Sequence, residues 1–288
     1  MGAAIKLALN LFKLRIGIVI AATAVAGMAV QPGRALPVWQ EFVLALSVLV
    51  CSAAAGAFNQ YYEYEFDRRM ERTRNRPFVT GVLKRTPQWL GLIALMTMGG
   101  VAAAWLAVNP FAALYTFLGA FVYAIVYTVW LKRRTWLNIV VGGLAGSFAV
   151  LAGAAAVTPA LSVEALLLAL VLFLWTPPHF WSLAIAYRHD YVAAGIPMLP
   201  VVKGDATAAR MIFYHTVALV SVSLLPMFYS AGWIYFAGAA GGGAWFLRDS
   251  LRLAREPSRR NALHCFHASL AQLSILLLAT MIESAWRL

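Results

Sequence analysis

The chain has 288 residues, of which 62% are hydrophobic and 12% are charged. A soluble domain carries about 25% charged residues, so composition alone excludes a soluble single domain. The formal net charge of +12 would suggest nucleic acid binding in a soluble protein, but in a membrane protein the placement of the basic residues matters first. A spanning helix needs about 20 apolar residues, so this chain has room for about nine spans and for no separate globular domain.

Hydropathy predicts nine membrane-spanning helices. Taken in chain order, they cover approximately residues 14–30, 39–58, 89–108, 110–131, 137–157, 163–186, 209–229, 232–247 and 264–286. We therefore expect an all-α, polytopic membrane protein in which residues 1–288 form a single transmembrane domain.

The basic residues predict the orientation of these helices. If the loops alternate sides, one face is shared by the N-terminus and the segments 59–88, 132–136, 187–208 and 248–263. With Arg210 included, this face holds 21 of the 23 Lys and Arg, and only Arg34 and Arg287 lie on the other face. Because cytoplasmic loops carry an excess of Lys and Arg, we expect a cytoplasmic N-terminus and cytoplasmic long loops. The net charge is then mostly topological, and we expect no nucleic acid partner.

The first long loop begins with oxygen ligands at helical spacing. Asn59, Glu63 and Asp67 stand at i, i+4 and i+8, so they share one face if the preceding helix continues past its apolar run. Mg²⁺ prefers oxygen ligands and keeps waters and phosphate oxygens around it, which favours a metal–diphosphate site. Arg72 and Arg76 continue the spacing and can meet phosphate oxygens. The alternative is a solvated helix end on which acids and bases pair.

The second long loop favours the metal site over that alternative. Asp190 is flanked by aromatic residues and is followed by Gly195, Pro197 and Pro200. Prolines fix the backbone, so this loop is expected to be stiff and shaped. A loop that only solvates a helix end needs no such shape.

Three further polar positions have two readings each. Lys132 and Arg133 follow the fourth helix and can bind phosphate, but basic residues at a cytoplasmic helix end are also the topological default. His179 follows Pro177 and Pro178 inside the sixth helix, which we expect the prolines to kink. An imidazole at that depth suits heme ligation or orientation, and it equally suits a bundle histidine with an internal hydrogen-bond partner.

Three stretches of the sequence are motifs long enough to compare with known protein families. They read N-x3-E-x-E-x-D-R-R-M-E-R-T-R-N-R-P-x-V-T-G from Asn59, T-P-P-H-F-W at 176–181, and D-Y-V-A-A-G-I-P-M-L-P-V-V-K-G at 190–204. Together they resemble the heme O synthase (protoheme IX farnesyltransferase) family, a branch of the UbiA-type intramembrane prenyltransferases. Many relatives place Asp where this chain has Glu63 and Glu65, and position 186, which carries a second acid in the wider superfamily, is Ala here.

The resemblance implies a nine-helix UbiA-type bundle that transfers the farnesyl group of farnesyl diphosphate to a vinyl group of heme B. It implies that the catalytic, Mg²⁺-binding residues are Asn59, Glu63, Asp67 and Asp190. It implies diphosphate binding by Arg72, Arg76, Lys132, Arg133 and Lys203, and heme binding by His179.

The resemblance further implies a multi-pass protein of the bacterial inner membrane, with heme A synthase or terminal oxidase assembly factors as partners. Two other functions remain open at this stage. One is prenylation of another acceptor, such as a quinone precursor or a chlorin. The other is a non-catalytic heme carrier or transporter, although a transporter is expected to place acids at the bilayer midplane and not at one face.

Overall fold

The computed structural model describes residues 2–229 and 231–286, and all regular structure within these ranges is helical. The helices are α1 Gly2–Leu11, α2 Leu14–Val30, α3 Val38–Tyr62, α4 Tyr64–Asp67, α5 Gln88–Ala107, α6 Pro110–Phe121, α7 Asn138–Gly142, α8 Leu144–Val157, α9 Val163–Ala186, α10 Arg188–Ala193, α11 Leu199–Lys203, α12 Asp205–Leu224, α13 Trp233–Arg255 and α14 Arg259–Trp286. A π-helix, Val122–Leu131, continues α6, and a 3₁₀ turn, Leu225–Phe228, continues α12. The all-α prediction is confirmed, while Arg287 lies outside the described residues.

Local sequence explains where several helices begin. The side chain of Asn109 accepts a hydrogen bond from the backbone N–H of Ala112 at 2.9 Å, and Pro110 occupies the first helical position of α6. The side chain of Ser162 accepts from the N–H of Ala165 at 3.1 Å and so caps α9. The Asn and Ser side chains accept hydrogen bonds from N–H groups that a helix start otherwise leaves unpaired. Proline suits the first helical position because it has no N–H group to satisfy.

Seven helices among the described residues are long and apolar enough to cross a membrane, or eight if the bent pair α1–α2 counts as one span. The seven are α3, α5, α6 with its π-helix, the pair α7–α8, α9, α12 with its 3₁₀ turn, and α14. The predicted segment 232–247 is helical as α13, but it does not meet the same standard. Its C-terminal part is polar, with Arg248, Asp249, Arg252 and Arg255. The count of nine spans stays a prediction.

Small residues allow the central helices to pack closely. A methyl group added at Gly153 of α8 would lie 1.8 Å from the backbone oxygen of Ala24 on α2, and one added at Gly27 would lie 2.1 Å from that of Val150. Such backbone approach is typical of membrane helix interfaces. The outer surface is apolar, as on α5, where Leu95, Met98, Trp105 and Leu106 are exposed. The chain is therefore an integral membrane protein.

The ends of four long elements bring the two long loops together. α2 begins beside the end of α3, and the π-helix and α9 end at the same side of the bundle. We call this side the loop face, formed by residues 63–87, 132–137 and 187–204. The second loop is ordered by short helices, α10 and α11, with Gly195 at φ 65° and Gly204 at φ 80°, a region that favours glycine.

Candidate active site

The predicted oxygen ligands gather at the loop face, although not on one continuous helix. α3 ends at Tyr62, and Glu63 adopts φ −93° and ψ 8° between α3 and the short α4. The helix therefore continues past the predicted apolar run, which ends at residue 58, and the chain bends only at Glu63. The bend still leaves Asn59, Glu63 and Asp67 buried, at 2%, 1% and 0% exposure. The side-chain amide of Asn59 donates to Glu63 Oε2 at 2.9 Å.

Each of these three side chains has a cationic partner. Lys132 Nζ forms a buried ion pair with Glu63 Oε2. Arg76 Nη1 donates to Asp67 Oδ2 at 2.6 Å. Lys13, which the sequence analysis counted only as a topological residue, donates to Asn59 Oδ1 at 2.7 Å. The structure therefore brings predicted Arg76 and Lys132 to the predicted ligands and adds a third cation.

Two carboxylate oxygens of this cluster remain unpaired. Within the described residues, Glu63 Oε1 and Asp67 Oδ1 are buried and have no hydrogen-bond partner. A buried acceptor without a partner is costly and rare in folded proteins. Carboxylate and amide oxygens are the donors that hard divalent cations take. The donor types of the residues present therefore fit a Mg²⁺ ion.

The π-helix supplies one wall of the site. Thr128 Oγ1 accepts from the amide of Asn59 at 3.1 Å and donates to the backbone oxygen of Tyr123 at 2.9 Å. The rings of Tyr123 and Tyr127 stack with their centroids 5.7 Å apart. Because π-helical turns are wider than α-helical ones, they align residues four or five apart, and they recur at functional sites. Thr128 was not among the predicted site residues, and nothing in the apolar run around it marks this role in the sequence.

Asp190 joins the second loop to the first. Its carboxylate oxygens accept hydrogen bonds from the backbone N–H groups of Glu71 at 3.0 Å and Arg72 at 3.2 Å, and the residue is 1% exposed. His189 Nε2 lies 3.2 Å from Asp190 Oδ1, and ligand atoms of Glu71, His189 and Asp190 lie within 4.8 Å of one another. Glu71 and His189 are largely exposed. The spacing of the two loops is therefore set by Asp190.

The other predicted diphosphate ligands lie further out. The guanidinium of Arg72 is 5.9 Å from the Tyr187 ring centre, and its Nη2 lies 3.5 Å from the Tyr191 hydroxyl. Arg133 donates to the Tyr62 hydroxyl at 2.8 Å and lies over the Tyr62 ring. Lys203 is exposed at the end of α11, and no contact joins it to Asn59, Glu63 or Asp67 within the described residues. The structure does not bring Arg133 or Lys203 to the acids.

His179 is held firmly inside the bundle. Its ring stacks on Trp175 and on Phe266, with centroid distances of 4.2 and 4.5 Å, and α9 runs through Pro177 and Pro178 as one helix. Its Nδ1 lies 2.7 Å from Ser269 Oγ, and that hydroxyl donates to the backbone oxygen of Phe266 at 2.6 Å. The hydroxyl has one hydrogen, so it accepts from Nδ1–H. We infer a tautomer whose Nε2 keeps its lone pair.

Buried oxygen ligands, three cations and two unpaired carboxylate oxygens thus lie together at one end of a helical membrane bundle. The chain belongs to the UbiA prenyltransferase family, whose model matches residues 20–270. It is 57% identical to protoheme IX farnesyltransferase 2 of Paramagnetospirillum magneticum over 98% of each chain, and 45% identical to protoheme IX farnesyltransferase 1 of that organism over 96% and 98%.

Solved structures share the fold at low sequence identity. A digeranylgeranylglyceryl phosphate synthase superposes with a TM-score of 0.77 at 19% identity, covering 97% of this chain and 98% of that one. A UbiA homologue from Archaeoglobus fulgidus bound to GPP and Mg²⁺ superposes with a TM-score of 0.69 at 14% identity, covering 96% and 99%. These likenesses establish the fold.

Proposed function

We propose that this chain transfers the farnesyl group of farnesyl diphosphate to a vinyl group of heme B, giving heme O. The observation that carries the proposal is the pair of buried, unpaired oxygens of Glu63 and Asp67 among three cations. Such a site suits a divalent metal together with a polyanion. Relatives named protoheme IX farnesyltransferase, up to 57% identical, support heme as the acceptor.

We propose Asn59, Glu63, Asp67 and Asp190 as the ligands of Mg²⁺. When bound, the ion would neutralise charge on the diphosphate as it departs. Support for Mg²⁺ comes from the donor types and from the relative solved with GPP and Mg²⁺. A carboxylate offers about four lone-pair sites, so Asp190 retains acceptor capacity beyond its two backbone hydrogen bonds.

We propose Arg72, Arg76, Lys132, Arg133 and Lys203 as diphosphate ligands, with Arg76 and Lys132 nearest the departing group. Their fixed positive charge stabilises the negative charge that develops as the C–O bond breaks heterolytically. The allylic cation left on the farnesyl group then takes the electron pair of the heme vinyl group. Water adds to the carbon that becomes cationic and loses a proton, which gives the hydroxyethylfarnesyl product.

The bundle protects this reaction from water until the final step. The walls next to the acid cluster are aromatic, including Tyr123 and Tyr127, and the helices behind them are apolar. We propose that His179 orients the heme acceptor through Nε2, since Nδ1 is already paired with Ser269.

We propose a setting in the bacterial inner membrane, with nine spans and the loop face in the cytoplasm. The excess of Lys and Arg in the loops supports this orientation. Heme A synthase or terminal oxidase assembly factors are the proposed partners, since they would use the product.

The test incubates the purified protein with labelled farnesyl diphosphate, heme B and Mg²⁺ and separates the products by chromatography with mass detection. We expect label in a hydroxyethylfarnesyl heme and none after chelation of Mg²⁺. Parallel reactions replace heme B by a quinone precursor or a chlorin. Preferred labelling of either one would overturn the heme assignment, and heme binding without any transfer would indicate a carrier.

A further inference from the structure

Lys13 carries an unusual backbone conformation at the start of the bundle. With φ 49° and ψ 41° it is the one residue other than glycine with a positive φ in the described chain. It separates α1 from α2, which are bent by 59°. Lysine has no intrinsic preference for this left-handed backbone conformation, which glycine or asparagine adopts more easily. Residues held in such sparsely populated conformations cluster at functional sites.

The strained backbone directs the Lys13 side chain into the candidate active site. Its Nζ donates to Asn59 Oδ1 at 2.7 Å and to the Tyr123 hydroxyl at 3.0 Å. The aliphatic stem lies beside Gly56 on α3, where an added methyl group would be 3.4 Å from Lys13 Cβ and Cδ. Three elements that are distant in sequence thus converge on this ammonium.

Both hydrogen-bond partners of Lys13 are neutral groups. Lys132 and Arg76 each pair with a carboxylate, whereas Lys13 binds an amide oxygen and a phenol. An ammonium has three donors, and only two are used here. A diphosphate oxygen is an anionic partner that would satisfy the third donor.

The geometry points to Lys13 as a substrate-binding residue for the diphosphate, delivered by the α1–α2 break. This inference rests on the proposed function. The ammonium lies against Asn59 Oδ1, where it would compete with a cation for that ligand. A bound diphosphate would draw the ammonium toward a phosphate oxygen.

The experiment compares Lys13→Met with Lys6→Met, which removes the same charge from the exposed Lys6 of the neighbouring α1. Mn²⁺ binding without diphosphate is measured by electron paramagnetic resonance, and binding of the unreactive farnesyl thiodiphosphate with Mn²⁺ present by calorimetry. For Lys13→Met we expect thiodiphosphate affinity to fall about tenfold, the loss of one charge-assisted hydrogen bond, with Mn²⁺ alone bound at least as tightly as by the wild type. Lys6→Met should match the wild type in both.

A second variant separates charge from backbone strain. Lys13→Gly also removes the ammonium but suits the positive φ, so we expect higher thermal stability than for Lys13→Met together with the same loss of thiodiphosphate affinity. The inference is overturned if either variant binds thiodiphosphate within twofold of the wild type, or if Mn²⁺ and thiodiphosphate affinities fall together. Failure of the wild type itself to bind thiodiphosphate would instead refute the proposed function.

Discussion

The carboxylate of Asp190 accepts a hydrogen bond from the backbone N–H of Glu71 at 3.0 Å, across 119 positions of sequence. Its second oxygen accepts from the next N–H, that of Arg72. A buried carboxylate that binds two successive backbone N–H groups fixes the path of the first loop relative to the second. Because Asp67 and Arg76 flank this anchored segment, the position of their ion pair depends on it.

We predict that Asp190→Asn loosens the first loop. An amide offers only one oxygen, so one of the two N–H groups loses its acceptor. Trypsin, which cleaves after Arg68, Arg69, Arg72 and Arg74, should cut the variant several-fold faster, and transfer should fall. Asp205→Asn, at a half-exposed acid beside Arg188, is the control and should resist trypsin like the wild type. Unchanged cleavage with lost transfer would mean that Asp190 acts only as a metal ligand.

We predict that Asp67→Asn reduces transfer by more than about a hundredfold while the protein stays folded. The change removes a metal-binding charge and leaves Arg76 without its carboxylate, but it removes no core packing. The control is Glu65→Gln, two residues earlier, where the acid is exposed. The measurement is turnover against Mg²⁺ concentration, with gel filtration in detergent to check folding. Wild-type turnover and Mg²⁺ dependence in Asp67→Asn would refute the metal role.

We predict that His179→Ala weakens heme binding by about tenfold or more and spares farnesyl thiodiphosphate binding. The heme and diphosphate sites separate because His179 lies within α9, whereas the acids lie at the loop face. His215→Ala, on the neighbouring α12 with its Nδ1 bound to the Met211 oxygen, is the control.

Ser269→Ala tests the same role with less disturbance of packing. It keeps the ring stacked on Trp175 and Phe266 but removes the partner of Nδ1, so we expect a shifted heme absorption spectrum. If His179→Ala lowers folded yield and both affinities together, and Ser269→Ala leaves the spectrum unchanged, His179 is a structural bundle residue.

We predict that Gly153→Ala destabilises the bundle by at least about 1–3 kcal/mol, because the added methyl group would overlap the backbone of α2. Gly91→Ala on α5 is the matched control, since nothing lies within 4 Å of the added group. Alanine is favoured over glycine in a helix by about 1 kcal/mol, so the control should be neutral or stabilised. Melting temperatures in detergent compare the two, and equal values would contradict the close approach of α2 and α8.

The amino-acid sequence was enough to predict the helical class, most of the span positions and the grouping of Asn59, Glu63 and Asp67. These features are local, because hydropathy is read within a window and the spacing of three ligands is read along a single segment. The same locality hides the bend at Glu63, because a run of helical spacing does not show where a helix is interrupted.

The pairing of each cation with its ligand becomes visible only in the folded bundle. In the sequence Lys13 has only a topological role, whereas Lys132 and Arg133 fit both a topological role and phosphate binding. In the structure Lys13 and Lys132 contact the site, and Arg133 packs on Tyr62 instead. The left-handed conformation of Lys13 and the π-helix that presents Thr128 carry an intrinsic cost that the surrounding packing must offset. No single segment encodes such states, because the stabilising contacts come from elements that are far apart in the chain and meet only in the folded bundle.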